Sequence, residues 1–132
     1  MAVVFVTHDV GVAVEVADRL AVMYAGRFVE TGLTETVIER PAHPYTAGLL
    51  SSTVLGAVQG RRLEAIPGTP PDLSLLPVGC SFAPRCRFTV DACRAATPPE
   101  FVLEPGHSTR CRRVAAGEIE LTRPDLGERA LT

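Results

Sequence analysis

The chain has 132 residues, 46% of them hydrophobic, and a formal net charge of −2. That length fits one ordinary domain or two small pieces, and the charge favours no nucleic acid or other polyanion. Lysine is absent, all 13 basic residues being arginine, which excludes a phosphate-loop lysine, a Schiff-base lysine and a lysine general base within this sequence.

Ala2 to Val6 is a continuous β-rich apolar run ending in Thr7-His8-Asp9. It reads as a strand buried on both faces of a parallel α/β sheet, with the neighbouring strands supplied from elsewhere. The same N-terminus lacks the basic region of a secretory signal. No apolar run approaches the roughly 18 to 20 residues that cross a bilayer, so no direct membrane insertion is expected. These features predict a cytoplasmic chain with reduced cysteines, unless a longer segment precedes it.

Asp9 is placed to cap a short helix whose Val10, Ala13, Val14 and Ala17 share one face. Leu20 to Tyr24, a turn at Ala25-Gly26 and Phe28 to Thr31 read as a β-hairpin. Thr34 is expected to cap a helix through Ile38 that stops before Pro41. His43-Pro44 opens another helix, with Leu49 and Leu50 on its apolar side. Leu63 to Ile66 reads as a short strand.

Eight of the 11 prolines fall between positions 67 and 105. Each removes a backbone donor and pushes its predecessor toward extended geometry, so regular structure is not expected there. This stretch holds the cysteines, Cys80, Cys86, Cys93 and Cys111, at C-x5-C-x6-C-x17-C. The segment from Gly79 to Arg112 is too poor in large apolar residues to order itself by burial. Four thiols in such backbone point to a metal or to disulfides in place of a core, and a reducing compartment favours the metal.

Structural zinc sites are usually built on a C-x2-4-C turn, which is missing here, whereas the larger iron–sulfur clusters accept more widely spaced ligands. Four reduced thiols buried as small hydrophobes remain the plainer account. Arg85, Arg87, Arg94, Arg110, Arg112 and Arg113 crowd the cysteines, which suits an anionic thiolate centre. His107 is a further candidate ligand, four residues before Cys111. The tail after Val114 has one apolar patch, Ile119 and Leu121, and is expected to fray.

Several of these segments together resemble one family. The stretch VFVTHDVGVAVEVADRLAVMYAGRFVETG resembles the end of the ATP-binding domain of ABC transporters. ERPAHPYTAGLLSS, IPGTPPDL and GCSFAPRC, in that order, resemble the C-terminal extension of oligopeptide/dipeptide importer ATPase subunits. The resemblance runs over roughly residues 2 to 113. It implies an α/β fragment over residues 1–40, the end of an ABC ATPase domain. A small irregular, proline-rich, metal-organised extension over 41–113 and a flexible tail over 114–132 complete the expected organisation.

The resemblance further implies that His8 is the switch-loop histidine that helps position the attacking water, a catalytic role open to it only in an intact subunit with bound ATP and Mg. It implies a [4Fe–4S] cluster on Cys80, Cys86, Cys93 and Cys111, with zinc as the alternative. It implies a second ABC ATPase subunit and membrane-spanning permease subunits as partners, and a peripheral location on the inner face of the cell membrane. The family's phosphate loop, signature segment and acidic strand end all precede the position of Thr7-His8-Asp9. The chain therefore reads as a truncated C-terminal part without ATPase activity of its own. The competing expectation is a standalone iron–sulfur or zinc-binding interaction module with no transport role.

Overall fold

The computed structural model describes residues 2–52, 66, 68–69 and 71–121. Helix α1 spans Val10–Val16, and the Asp9 carboxylate accepts from the Val12 amide at 3.2 Å, as expected of a cap. Val10, Ala13, Val14 and Ala17 are half-buried while Val12, Glu15 and Val16 face solvent, so the predicted face is the one that packs.

Strands β1 (Arg19–Tyr24) and β2 (Arg27–Leu33) form the expected hairpin. Ala25 at φ 52 and Gly26 at φ 80 give the two left-handed residues that a type I′ turn requires. The register carries a bulge: Val22 pairs with Glu30 but Met23 pairs with Phe28, leaving Val29 as the extra residue. A bulge breaks the in-out alternation of a strand. Val29 and Glu30 are consequently both buried although adjacent.

Helix α2 (Thr34–Glu39) begins one residue earlier than a Thr34 cap would allow. Leu33 holds the cap position, and the Thr34 hydroxyl instead donates to the Ala17 carbonyl at 2.7 Å, tying α2 to the end of α1. The helix ends at Arg40, ahead of Pro41. In α3 (Pro44–Ser51), Pro44 takes the first position and His43 caps, its Nδ1 accepting from the Tyr45 amide at 3.0 Å.

The proline-rich stretch departs from expectation by containing regular structure. It forms single 3-10 turns at Leu73–Leu75 and Ala83–Arg85, helix α4 (Asp91–Ala95) and strand β3 (Phe101–Glu104). Pro84 lies within the Ala83–Arg85 turn, and the other described prolines of the stretch sit between these elements. Pro98 and Pro99 precede β3, and Pro105-Gly106 turns it into β4 (His107–Thr109). Gly106, at φ 84, supplies the positive φ that follows proline in a type II turn. Helix α5 (Arg112–Ala115) completes the elements.

The four strands make one antiparallel sheet in the order β1-β2-β4-β3. The β2–β4 pairing sets Glu30 opposite Thr109 and Thr31 opposite Ser108, so strands from both sides of residue 40 share a sheet. The Ala2–Val6 segment joins no strand. Val3, Val4, Phe5 and Val6 are between 56% and 91% exposed, because none of the described residues pairs with them. The expected Leu63–Ile66 strand lies outside the described residues except for Ile66, as do Arg61, Arg62, Pro67, Pro70 and residues 122–132. Leu121 is buried, so the apolar patch of the tail docks rather than frays.

The apolar core is small: Tyr24, Val29 and Phe82 pack together, with Tyr45, Ile66, Cys80 and Cys86 against them. Beside it lies a polar knot. Glu30, 1% exposed, accepts from the Ala42 amide through both carboxylate oxygens at 2.9 Å, and its Oε2 lies 2.7 Å from His107 Nε2. Burial raises the Glu30 carboxyl above its ordinary value of 4.5, while the His107 and Ala42 contacts pull the other way.

Glu30→Ala leaves the His107 ring and the Ala42 amide without their acceptor. It should cost about 3 kcal/mol of stability in denaturant unfolding, and an unchanged midpoint would refute this reading of the knot. The raised native pKa means that the folded state holds an extra proton between 4.5 and that value, so this group's contribution to stability falls as pH rises through it. Glu30→Gln should flatten the fall in stability that begins as pH rises above 4.5.

Candidate functional site

All four cysteines are free thiols, half-buried, and they line one cavity of about 360 Å³, its open mouth included. His43, Phe82, Arg110, Arg112 and Arg113 complete much of its wall. The sequence spreads these thiols over Cys80 to Cys111; backbone contacts gather them. The Cys80 amide donates to the Cys93 carbonyl at 2.8 Å, joining the first cysteine loop to α4. Gly79 makes that approach possible. It stands at φ +90, and a Cβ there would lie 2.5 Å from the Cys93 carbonyl oxygen.

Cys86 closes the Ala83–Arg85 turn by donating to the Ala83 carbonyl at 3.2 Å, and the Thr89 hydroxyl donates to the Ala83 and Cys86 carbonyls at 2.9 Å. Cys111 is the residue before α5, its amide donating to Thr109 Oγ1 at 3.1 Å. The Thr109 hydroxyl in turn donates to the Ala42 carbonyl at 2.6 Å. Ala42 therefore connects through its amide to Glu30 and through its carbonyl, by way of Thr109, to Cys111.

Aromatic packing fixes the loop from the other side. Phe82, 3% exposed, lies edge-on to Tyr24 at 5.1 Å and tilts against Tyr45 at 5.4 Å and His43 at 5.9 Å. Phe82 gives the Gly79–Arg112 segment one apolar anchor, whose pocket the hairpin and α3 supply.

The thiols are set among conflicting influences. Burial pushes Cys80 and Cys86 above the ordinary thiol value and Cys111 to about 11. Neighbouring thiols act the same way: Cys86 and Cys93 on Cys80, Cys93 on Cys86, and Cys86 and Cys80 on Cys111. Against this, backbone amides face three of the sulfurs: those of Phe82 and Ala83 at Cys80, Phe88 at Cys86 (3.4 Å), and Val114 and Arg113 at Cys111. Such amide turns favour an anionic sulfur. Among the described residues, no three His, Cys, Asp or Glu side chains stand close enough to hold one metal ion.

The arginines do more than supply charge. Arg110 donates to the Phe28 and Pro98 carbonyls, both at 3.1 Å, and Arg113 to the Phe88 carbonyl at 2.8 Å and to Glu118 at 3.0 Å. Arg85 lies over the Tyr24 ring at 6.0 Å. Arg87 and Arg94 are exposed, Arg94 facing Asp91. Arg112 differs. Its Nη2 reaches the Ala96 carbonyl at 3.4 Å, but its Nε is buried without a hydrogen-bond partner among the described residues, and a buried unpaired donor costs about 1–3 kcal/mol.

The other predicted site residues lie elsewhere. His8 is exposed ahead of α1 and lines neither this cavity nor the adjoining one of about 480 Å³ around Arg27 and Ser81. His107, a candidate ligand by spacing, is committed to Glu30 in the knot. His43 lines both cavities, and burial lowers it to about 3, so it is a neutral cap. Sequence reasoning missed Glu30 and Thr109. Nothing in the strand pattern marked them, since the Val29 bulge alone turns Glu30 inward.

Residues 29–93 match the sequence model of the family described as "Oligopeptide/dipeptide transporter, C-terminal region". These residues belong to that family. A Brucella ovis protein named as a peptide import ATP-binding protein is 50% identical over 119 residues, covering 86% of this chain and 35% of its own length. The dipeptide transport ATP-binding protein DppD of Bacillus subtilis is 42% identical over 111 residues, 84% of this chain and 33% of DppD. The oligopeptide transport ATP-binding protein OppD of Mycobacterium tuberculosis is 46% identical over 112 residues, 84% of this chain and 18% of OppD. The chain thus spans about a third or less of the curated relatives it matches.

The transporter C-terminal region covers Cys80, Cys86 and Cys93 but stops short of Cys111, β3 and β4. Its cysteine loops depend on Gly79 in this chain. Gly79→Ala adds a left-handed strain of about 1–3 kcal/mol to the clash with Cys93. It should make the 79–95 segment cleavable by protease at concentrations that leave the parent intact. Equal protease resistance would show that the two loops do not rely on this approach.

Proposed function

We propose that this chain is the C-terminal part of the ATP-binding subunit of an oligopeptide/dipeptide ABC importer. In the intact subunit it would help couple ATP hydrolysis to peptide transport across the membrane. The observation that carries the reading is the match to peptide-transport ATP-binding proteins over more than four-fifths of the chain. Residues 1–40 are read as the end of the ATPase domain, 41–113 as the transporter extension and 114–132 as a tail. No helix among the described residues is long and apolar enough to cross a membrane. Attachment at the inner face would therefore come through permease subunits and a second ATPase subunit. His8, exposed at the end of the Ala2–Val6 segment, is free to face a nucleotide carried by other parts of such an assembly.

Deleting the reading frame that contains this chain should abolish uptake of a labelled di- or oligopeptide, and a copy carrying His8→Ala should fail to restore it. Unchanged peptide uptake in the deletion strain would overturn the transport reading and favour a standalone module.

The cysteine cavity is read as the seat of a [4Fe–4S] cluster on Cys80, Cys86, Cys93 and Cys111. Three features of this chain fit that group: four thiols on one cavity, amide turns facing three of the sulfurs, and a buried arginine donor without an acceptor. The C-x5-C-x6-C-x17-C spacing, with no C-x2-4-C turn, suits a polynuclear centre better than zinc. When bound, such a cluster supplies cross-links between the loops and a one-electron redox couple. The chain's own part is to hold the thiols, present amides to them and surround them with arginine.

Chain purified or reconstituted without oxygen should be brown and carry about four iron and four sulfide per chain, and replacing any one of the cysteines by Ser should remove most of the colour. One zinc in colourless protein would move the assignment to a tetrathiolate zinc site. Four titratable thiols and no metal would remove it.

A further inference from the structure

The arginines around the cysteine cavity are not equivalent. Arg110 places its Nε and Nη1 on the Phe28 and Pro98 carbonyls, and Arg113 places its Nε and Nη1 on Glu118 and the Phe88 carbonyl. Both use their directional donors to stitch backbone segments together. Arg112, next in sequence to Cys111, lines the same cavity, yet among the described residues its Nε is buried with no hydrogen-bond partner and its Nη2 makes a long 3.4 Å contact to the Ala96 carbonyl. Folded proteins rarely leave a buried N–H donor unspent, and such a group marks a missing acceptor. Of the acceptors in this cavity's wall, the Pro98 and Phe88 carbonyls and His43 Nδ1 already accept from Arg110, Arg113 and Tyr45, while the four sulfurs offer further sites. An N–H donor aimed at a thiolate or sulfide stabilises the more negative state of the centre and raises its potential.

We propose that Arg112 is a positioning residue for the thiolate centre, its Nε–H donating to a sulfur of Cys111 or of the cluster bound beside it. The proposal rests on the cysteine cavity being a cluster site. The guanidinium then has two tasks: Nη2 anchors it to the loop after α4 through Ala96, and Nε serves the centre. A lysine at this position keeps the charge but has no donor at the Nε position. Its ammonium lies one atom farther along a flexible stem.

The test uses the whole 132-residue chain, reconstituted with iron and sulfide without oxygen, as parent, Arg112→Lys and Arg112→Met. Iron and sulfide content is measured first, then the reduction potential by spectroelectrochemistry, then exchangeable protons near the reduced cluster by pulsed electron resonance in D2O. Both variants should keep the cluster, with a potential lowered by about 59 mV, tenfold in the oxidised-to-reduced ratio for one electron. Both should lose one strongly coupled exchangeable proton that the parent shows. A cluster of unchanged potential and unchanged proton coupling in Arg112→Lys overturns the proposal and leaves the cluster assignment standing. A potential shifted in Arg112→Met alone, with the proton coupling kept in both, reduces Arg112 to a through-space charge and also overturns it. Loss of the cluster from both variants, together with protease sensitivity of their metal-free forms, assigns Arg112 to the fold through Ala96 and overturns it as well. A parent that takes up no iron and sulfide removes the cluster reading itself, and the proposal with it.

Discussion

The arrangement of this chain depends on a carboxylate buried where a strand bulges. Glu30 sits at the junction of the hairpin, the segment leading into α3 and the distant strand β4, and it bonds to the latter two through Ala42 and His107. Its side chain is almost wholly buried, so its contacts act at low dielectric, and the cost of desolvating the carboxylate is correspondingly large. A buried charge of this kind adds little net stability over an apolar filling. Its effect is selective: only a packing that brings both donors to Glu30 avoids leaving a carboxylate unpaired. The β2–β4 pairing meets that condition because Thr109 stands directly opposite Glu30.

From this knot the order propagates to the cysteines. Thr109 spends its hydroxyl on the Ala42 carbonyl and its oxygen on the Cys111 amide, so the fourth cysteine is held to the residue that Glu30 holds. On the other side, Phe82 inserts between Tyr24, Tyr45 and His43 and fixes the turn that separates Cys80 from Cys86. Cys93 follows through the hydrogen bond from Cys80. Two unrelated interactions, one a buried hydrogen-bonded knot and one aromatic, thus fix the two ends of a single thiol-lined cavity.

What the sequence made legible was local. Asp9, the Ala25-Gly26 turn and His43-Pro44 each act through backbone geometry within four residues, and each appears where the residue types require it. Thr34 shows the limit of that reasoning, because a tertiary partner, the Ala17 carbonyl, outcompetes the helix's own amides. The pairing of β2 with β4 joins residues 77 apart by |i−j|, as in the Thr31–Ser108 hydroxyl contact, and no local pattern announces it. Prolines misled for a related reason. They exclude structure at their own positions, but Pro98, Pro99 and Pro105 only bracket β3 and leave Phe101–Glu104 free to pair. The spacing of the cysteines marked the region proposed as the site, while the donors around it, Arg112 and the amides two and three residues after the cysteines, emerge only once the loops are closed.

The scaffold also changes what a metal would have to do here. If the thiols were scattered on disordered backbone, a bound centre would spend much of its binding energy ordering the loops, and metal loss would unfold the segment. In this chain Glu30, Thr109, Phe82 and Gly79 hold the loops that line the cavity, and burial opposes ionisation of the Cys80 and Cys111 thiols. Loading also carries an electrostatic cost: protons must leave the thiols as cationic iron or zinc arrives. The amide turns and the arginine wall oppose that cost, since they favour sulfur in its anionic form. A cavity lined by four thiols and surrounded by donors is matched to the cation-bearing centre proposed for it.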